Sequence, residues 1–162
     1  MEIGDPFCVS CARYILGMVS ARVMPAKAAE ALEAGHDTPS LRRLAGESPE
    51  DERAIHELVK NAIGELGLPE PTRENEAFIA VRAIGEDVLA GRTGAYEGAR
   101  EVWWKIADAK RETEWLLPFI GLASEYQDSP AHRDDCAKQI LEEFRRLADQ
   151  TAPPPWPLRH AG

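Results

Sequence analysis

The chain has 162 residues, a length that fits one ordinary domain and lets folding remove roughly 70% of the surface exposed by the unfolded chain. Its composition, 44% hydrophobic and 29% charged, excludes the disordered class, and no run approaches the ~18 apolar residues that a membrane-spanning helix requires. With 28 acidic against 19 basic side chains, the formal charge of −9 sets most of the surface against phosphates, so neither nucleic acid nor membrane is an expected partner.

The N-terminal stretch "MEIGDPFCVSC" carries an acid where a secretory leader would carry positive charge, which makes the cytoplasm the expected location. Three cysteines, an odd number, speak against a disulfide framework and fit a reducing compartment. Arg outnumbers Lys 14 to 5, a bias associated with GC-rich bacterial genomes.

Asp5-Pro6 opens the first predicted helix, 6–23, with a capping side chain ahead of a proline whose missing N–H costs nothing there. A second helix, 25–34, stops at Gly35. Thr38-Pro39 starts a short third one, 39–45. The surrounding "EAGHDTPSLRRLAGE" has the outline of a DNA-reading helix-turn-helix, yet the second helix is barely two turns and Leu41, Leu44 and Ala45 must face inward. The acidic "ESPEDERAIHE" follows, so Arg42 and Arg43 are expected to be solvated or paired with nearby acids.

Ser48-Pro49 opens 49–66, whose apolar stripe is Ile55, Leu58, Val59, Ala62, Ile63 and Leu66. The helix 73–90 shows a second stripe of Phe78, Val81, Ile84, Val88 and Leu89. Helices over 95–110, 115–127 and 130–149 follow, the last opened by Ser129-Pro130. No segment alternates as a strand would. The tail "APPPWPLRHAG" cannot continue a helix, because its prolines remove donors and lock φ. The expected fold is all-α: a single compact domain of seven or eight helices over 1–152 and a Pro-rich tail over 153–162, with no repeat that would make a solenoid.

Chemistry-bearing patterns are few. "CVSC" places Cys8 and Cys11 on one helix face, and "HRDDC" does the same for His132 and Cys136. If the first and last helices were neighbours, these four would form a Cys₃His zinc site. The competing reading is core packing, since Cys8 and Cys11 continue the line of Ile15, Met18 and Val19, and Cys136 that of Ile140, Phe144 and Leu147. A redox CxxC needs a preceding strand and a thiol at the helix start, and Asp5-Pro6 already begins the helix upstream. The phosphate-loop, zinc-protease and serine-hydrolase motifs are absent from the sequence. The one Glu-x-x-His, Glu33 to His36, is interrupted by Gly35, and His36 and His56 read as a loop residue and an exposed helical residue. No catalytic residue is expected.

The most informative stretch is "GAYEGAREVWWKIADAK". Ala95, Ala99, Val102, Trp103 and Ile106 share a face with Tyr96 at its border, whereas Trp104 projects into the opposite stripe with Glu97, Arg100, Glu101 and Asp108. An indole among carboxylates is a frequent interface anchor, and an acidic rim steers a basic partner. The alternative is that the tail or the helix near Trp115 covers it.

The succession "EALEAGHDTPSLRRLAGES", "AIGELGLPEP", "GAYEGAREVWWKIA" and "FIGLASEYQDSP" resembles small helical bacterial proteins of unassigned activity, a resemblance that implies no catalytic residues. By charge and size alone the chain is also comparable to immunity proteins, which neutralise basic toxins by covering them. The expectation is therefore a module that binds a basic protein through Trp104. A zinc-stabilised or metal-dependent helical protein and a homo-oligomeric structural subunit are the alternatives.

Overall fold

A computed structural model describes residues 1–107 and 114–154. Among them are eight α-helices and no strand: α1 Pro6–Ile15, α2 Met24–Glu33, α3 Pro39–Ala45, α4 Glu52–Glu65, α5 Arg73–Leu89, α6 Ala95–Glu101, α7 Leu117–Asp128 and α8 Arg133–Ala148. The chain forms two compact units, Met1–Ala80 and Val81–Gly162. Their boundary falls inside α5, which gives its first half to one and its second half to the other.

In the first unit, α2, α3 and α4 pack against one another and α1 packs on α2 and α4. Phe7, Cys11, Met24, Ala28, Leu41, Leu44 and the α4 residues Ile55, Leu58, Val59, Ala62 and Ile63 make one buried cluster. The α4 stripe thus lies where its 3.6-residue period places it, with Leu66 at the edge. The expected helix 6–23 is shorter: α1 stops at Ile15, Gly17 turns the chain at φ +76°, and a 3₁₀ turn, Ala21–Val23, begins at Ser20, whose hydroxyl accepts from the Arg22 amide.

Of the four residue-proline starts, one caps as expected. Thr38 Oγ1 accepts from Leu41 N at 3.2 Å. Asp5 instead accepts from the Glu2 amide at 2.6 Å, and α8 begins after a 3₁₀ turn, Pro130–His132, with no side-chain cap. The helix expected from residue 49 begins at Glu52, because Asp51 takes over as cap, accepting from Ala54 N at 3.0 Å. The start of α3 gains a second acceptor from outside its own segment: Glu65, last residue of α4, accepts from Ser40 N at 3.0 Å and Ser40 Oγ at 2.7 Å. These bonds hold the Glu65 carboxyl below its usual range.

In the second unit, α6, α7 and α8 pack on one another. Phe119 of α7 meets Phe144 of α8 with ring centroids 4.6 Å apart. Tyr96 of α6 stacks on Tyr126 of α7 at 4.3 Å, and the Arg133 guanidinium lies 5.1 Å from the Tyr126 ring centroid. The second half of α5 approaches α6 through glycine: a Cβ on Gly98 would fall 2.5 Å from Val88 Cγ2. Arg82 closes the end of α8 by donating to the Ala148 carbonyl through Nε (3.3 Å) and Nη2 (3.1 Å).

Candidate functional site

The continuous helix expected over 95–110 is in fact interrupted. After α6 the chain widens into one π-helical turn, Val102–Ile106, closed by Ala107 N donating to Val102 O at 2.9 Å, and Ala107 is extended. Such turns insert one residue per hydrogen-bonded ring and occur often at functional sites. Val102 and Ile106 stay buried, which anchors the turn, while Trp103 is half-buried and Trp104 is 62% exposed. No described element covers Trp104.

Glu97, Arg100, Glu101, Trp104 and Lys105 line an open depression of about 270 Å³. Their spacing of three and four residues explains the grouping, since helical neighbours on one face lie at that separation. The Arg100 guanidinium sits 4.5 Å from the Trp104 ring centroid, a cation–π contact, and Trp103 meets Trp104 edge-on at 6.3 Å and 79°. Lys105 Nζ reaches Glu101 Oε1 at 3.4 Å. Glu97 leans back over Gly94, where a Cβ would collide with its carboxylate. The described lining therefore carries two acids and two bases rather than the acidic rim expected from the stripe. Asp108, the remaining member of that stripe, lies outside the described residues.

The candidate zinc ligands divide between the units. Cys8 and Cys11 are 2% and 1% exposed on α1, and Cys136 is 1% exposed on α8. His132 is exposed, with Nδ1 3.2 Å from Glu125 Oε1. Among the described residues, no group of three or more His, Cys, Asp and Glu side chains is arranged to hold a metal ion. Burial pushes the Cys8 thiol up to about 12 and raises Cys11 further, with Glu76 adding to both shifts. Cys8 sits in the first turn of α1, where a helix start would favour thiolate, but desolvation outweighs that field.

Both arginines of the apparent helix-turn-helix are exposed. Arg42 makes a two-pronged contact with Asp37, through Nε at 2.5 Å and Nη2 at 3.1 Å, and Ser40, Leu41 and Leu44 fill the inward face of α3. His56 is exposed on α4 with Nδ1 3.2 Å from the Tyr14 hydroxyl.

One residue was not anticipated. Glu76, in the first turn of α5, is 2% exposed, and no hydrogen bond or ion pair to its carboxyl is found among the described residues. Burial alone raises it to about 7. The second unit also carries a groove of about 480 Å³ whose lining includes Phe119, Leu147, Pro154 and Leu117, the last 58% exposed.

Comparison with protein-family models, with curated proteins and with solved structures finds no match to this chain. No helix among the described residues is long and apolar enough to cross a membrane.

Proposed function

We propose that the chain is a protein-binding module whose contact surface is the exposed face of α6 and its π-turn, with Trp104 as the anchor. The observation that carries this reading is the 62% exposure of a tryptophan on a turn whose neighbours Val102 and Ile106 are fixed in the core. A large ring held on a rigid backbone loses little conformational entropy on docking and offers wide contact area with one N–H donor. Glu97, Arg100, Glu101 and Lys105 form a polar rim around it, the arrangement in which an aromatic anchor carries most of the binding energy.

The partner is a basic protein, and the chain acts on it as an immunity-type inhibitor does, by covering it. The whole-chain charge of −9, rather than the balanced rim, supplies the attraction. Asp108 belongs to the same stripe in sequence.

Affinity capture from a lysate of the source organism, wild type beside Trp104→Ala, with identification by mass spectrometry, tests the reading. A basic protein held by the wild type and lost by the variant is expected. Removing this exposed ring and its contact with Arg100 changes stability by about 1 kcal/mol or less, so the loss is not a folding defect. Identical capture by both proteins overturns the reading. If only the chain itself is recovered, the tryptophan serves a homo-oligomer, and light scattering across concentrations separates that case. The zinc alternative draws no support from side-chain grouping among the described residues, and stoichiometric metal in protein purified without added zinc would favour it.

A further inference from the structure

Glu76 is 2% exposed and stands at the head of a buried apolar run. Ala77, Phe78, Ile79, Ala80 and Val81, which follow it directly, are each 3% exposed or less. In the first unit, Ile79 packs with Cys8 and Ala12 of α1, edged by Ile3, Val9 and Leu68. The titratable groups of α1 that act in the same pocket are the Cys8 and Cys11 thiols, which stay neutral, with Asp5 and the N-terminal amine acting on Cys8 from the start of the chain. Arg13, also on α1, has its Nε buried without a hydrogen-bond partner. On α5 itself the nearest charges are Arg73, already engaged, and the exposed Glu74. None of these supplies a countercharge to the carboxyl.

We propose that Glu76 is a proton-operated latch: protonated, it lets the first two turns of α5 lie in the core of the first unit, and on ionisation it drives those turns out. A buried carboxylate without a partner is among the most unfavourable groups a core can hold, so the fold relieves it by protonation or by opening. Burial raises the group from 4.5 to about 7, and this sets the window. The folded state retains a proton that the unfolded chain releases above about 4.5. The latch is therefore fully closed below that value, weakens as pH rises, and is lost as pH passes about 7.

Amide exchange of the full chain, measured from pH 5 to pH 8 and corrected for intrinsic rates, tests the latch. Protection of residues 77–80, taken relative to the α8 amides near Phe144, is expected to fall by roughly tens-fold over this range in the wild type. In Glu76→Gln, which is neutral throughout, the ratio is expected to stay level. Should that variant not fold, Glu76→Leu gives the same comparison, and the Glu76 carboxyl is titrated directly by NMR in the wild type. A wild-type ratio that does not move, a variant that keeps the fall, or a carboxyl titrating near 4.5 overturns the proposal.

Discussion

Trp104 and Glu76, among the described residues, stand where their chemistry is ill at home, one in water and the other out of it. Trp104 was legible in the sequence because Ala95, Ala99, Val102 and Ile106 define an apolar face to which it does not belong. Glu76 was not. The stripe Phe78, Val81, Ile84 and Val88 assigns it to an exposed face, and α5 has no exposed face at that turn, because Ala77, Ile79 and Ala80 are buried as well. Above pH 7 the gap between its folded and unfolded values is worth on the order of 3 kcal/mol, so Glu76→Gln is expected to raise stability in urea by up to that amount at pH 8 and to change little at pH 4. The three cysteines give a second residue-level test. Buried and held as thiols, Cys8, Cys11 and Cys136 are expected to resist a thiol reagent at pH 8 in the native chain and to react together once it is denatured.

At the level of the helices, the places where close approach replaces a side chain decide what can be changed. A Cβ on Gly98 would meet Val88 and one on Gly85 would fall 2.8 Å from Phe144 Cδ1, both branched or aromatic groups fixed in the core. Gly98→Ala gains up to about 1 kcal/mol in helix propensity and loses about 1–3 kcal/mol to overpacking, so a net loss on thermal unfolding is expected. Thr38→Ala is expected to cost about 1 kcal/mol by removing the cap of α3. The Glu65 bonds to Ser40 add stability that is present above the ordinary carboxylate value and lost as pH falls through the lowered one. Helix existence and type were readable from apolar period, while starts and interruptions were less so. Thr38-Pro39 and Ser48-Pro49 look alike in sequence, but the second is followed by "EDE", which offers Asp51 as a later cap. Nothing in "EVWWKIA" announces a π-turn, since Val102 and Ile106 face inward under either helical geometry.

For the molecule as a whole, charge is the property most directly readable and the one with the broadest consequence. At −9, association with a basic partner is expected to weaken as salt rises from 50 to about 300 mM, chiefly through slower encounter; affinity unchanged over that range would remove the electrostatic part of the proposed function. Composition carries no trace of the division into two compact units. It falls between Ala80 and Val81, inside a continuous helix, where no proline, glycine or charge run marks a linker.

The buried run Ala77–Val81 reads differently once the chain is unfolded. "AFIAV" has no proline, glycine or charge, and its neighbours on either side, Glu76 and Arg82, are the charges that keep such a stretch from pairing with copies of itself. Glu76 is costly in the native core at neutral pH, yet in the unfolded chain it is a guard against aggregation. Glu76→Gln should then make a more stable protein that refolds in lower yield at high concentration, with turbidity on dilution from urea as the sign. The same carboxyl that loosens the fold would be what lets it be reached cleanly.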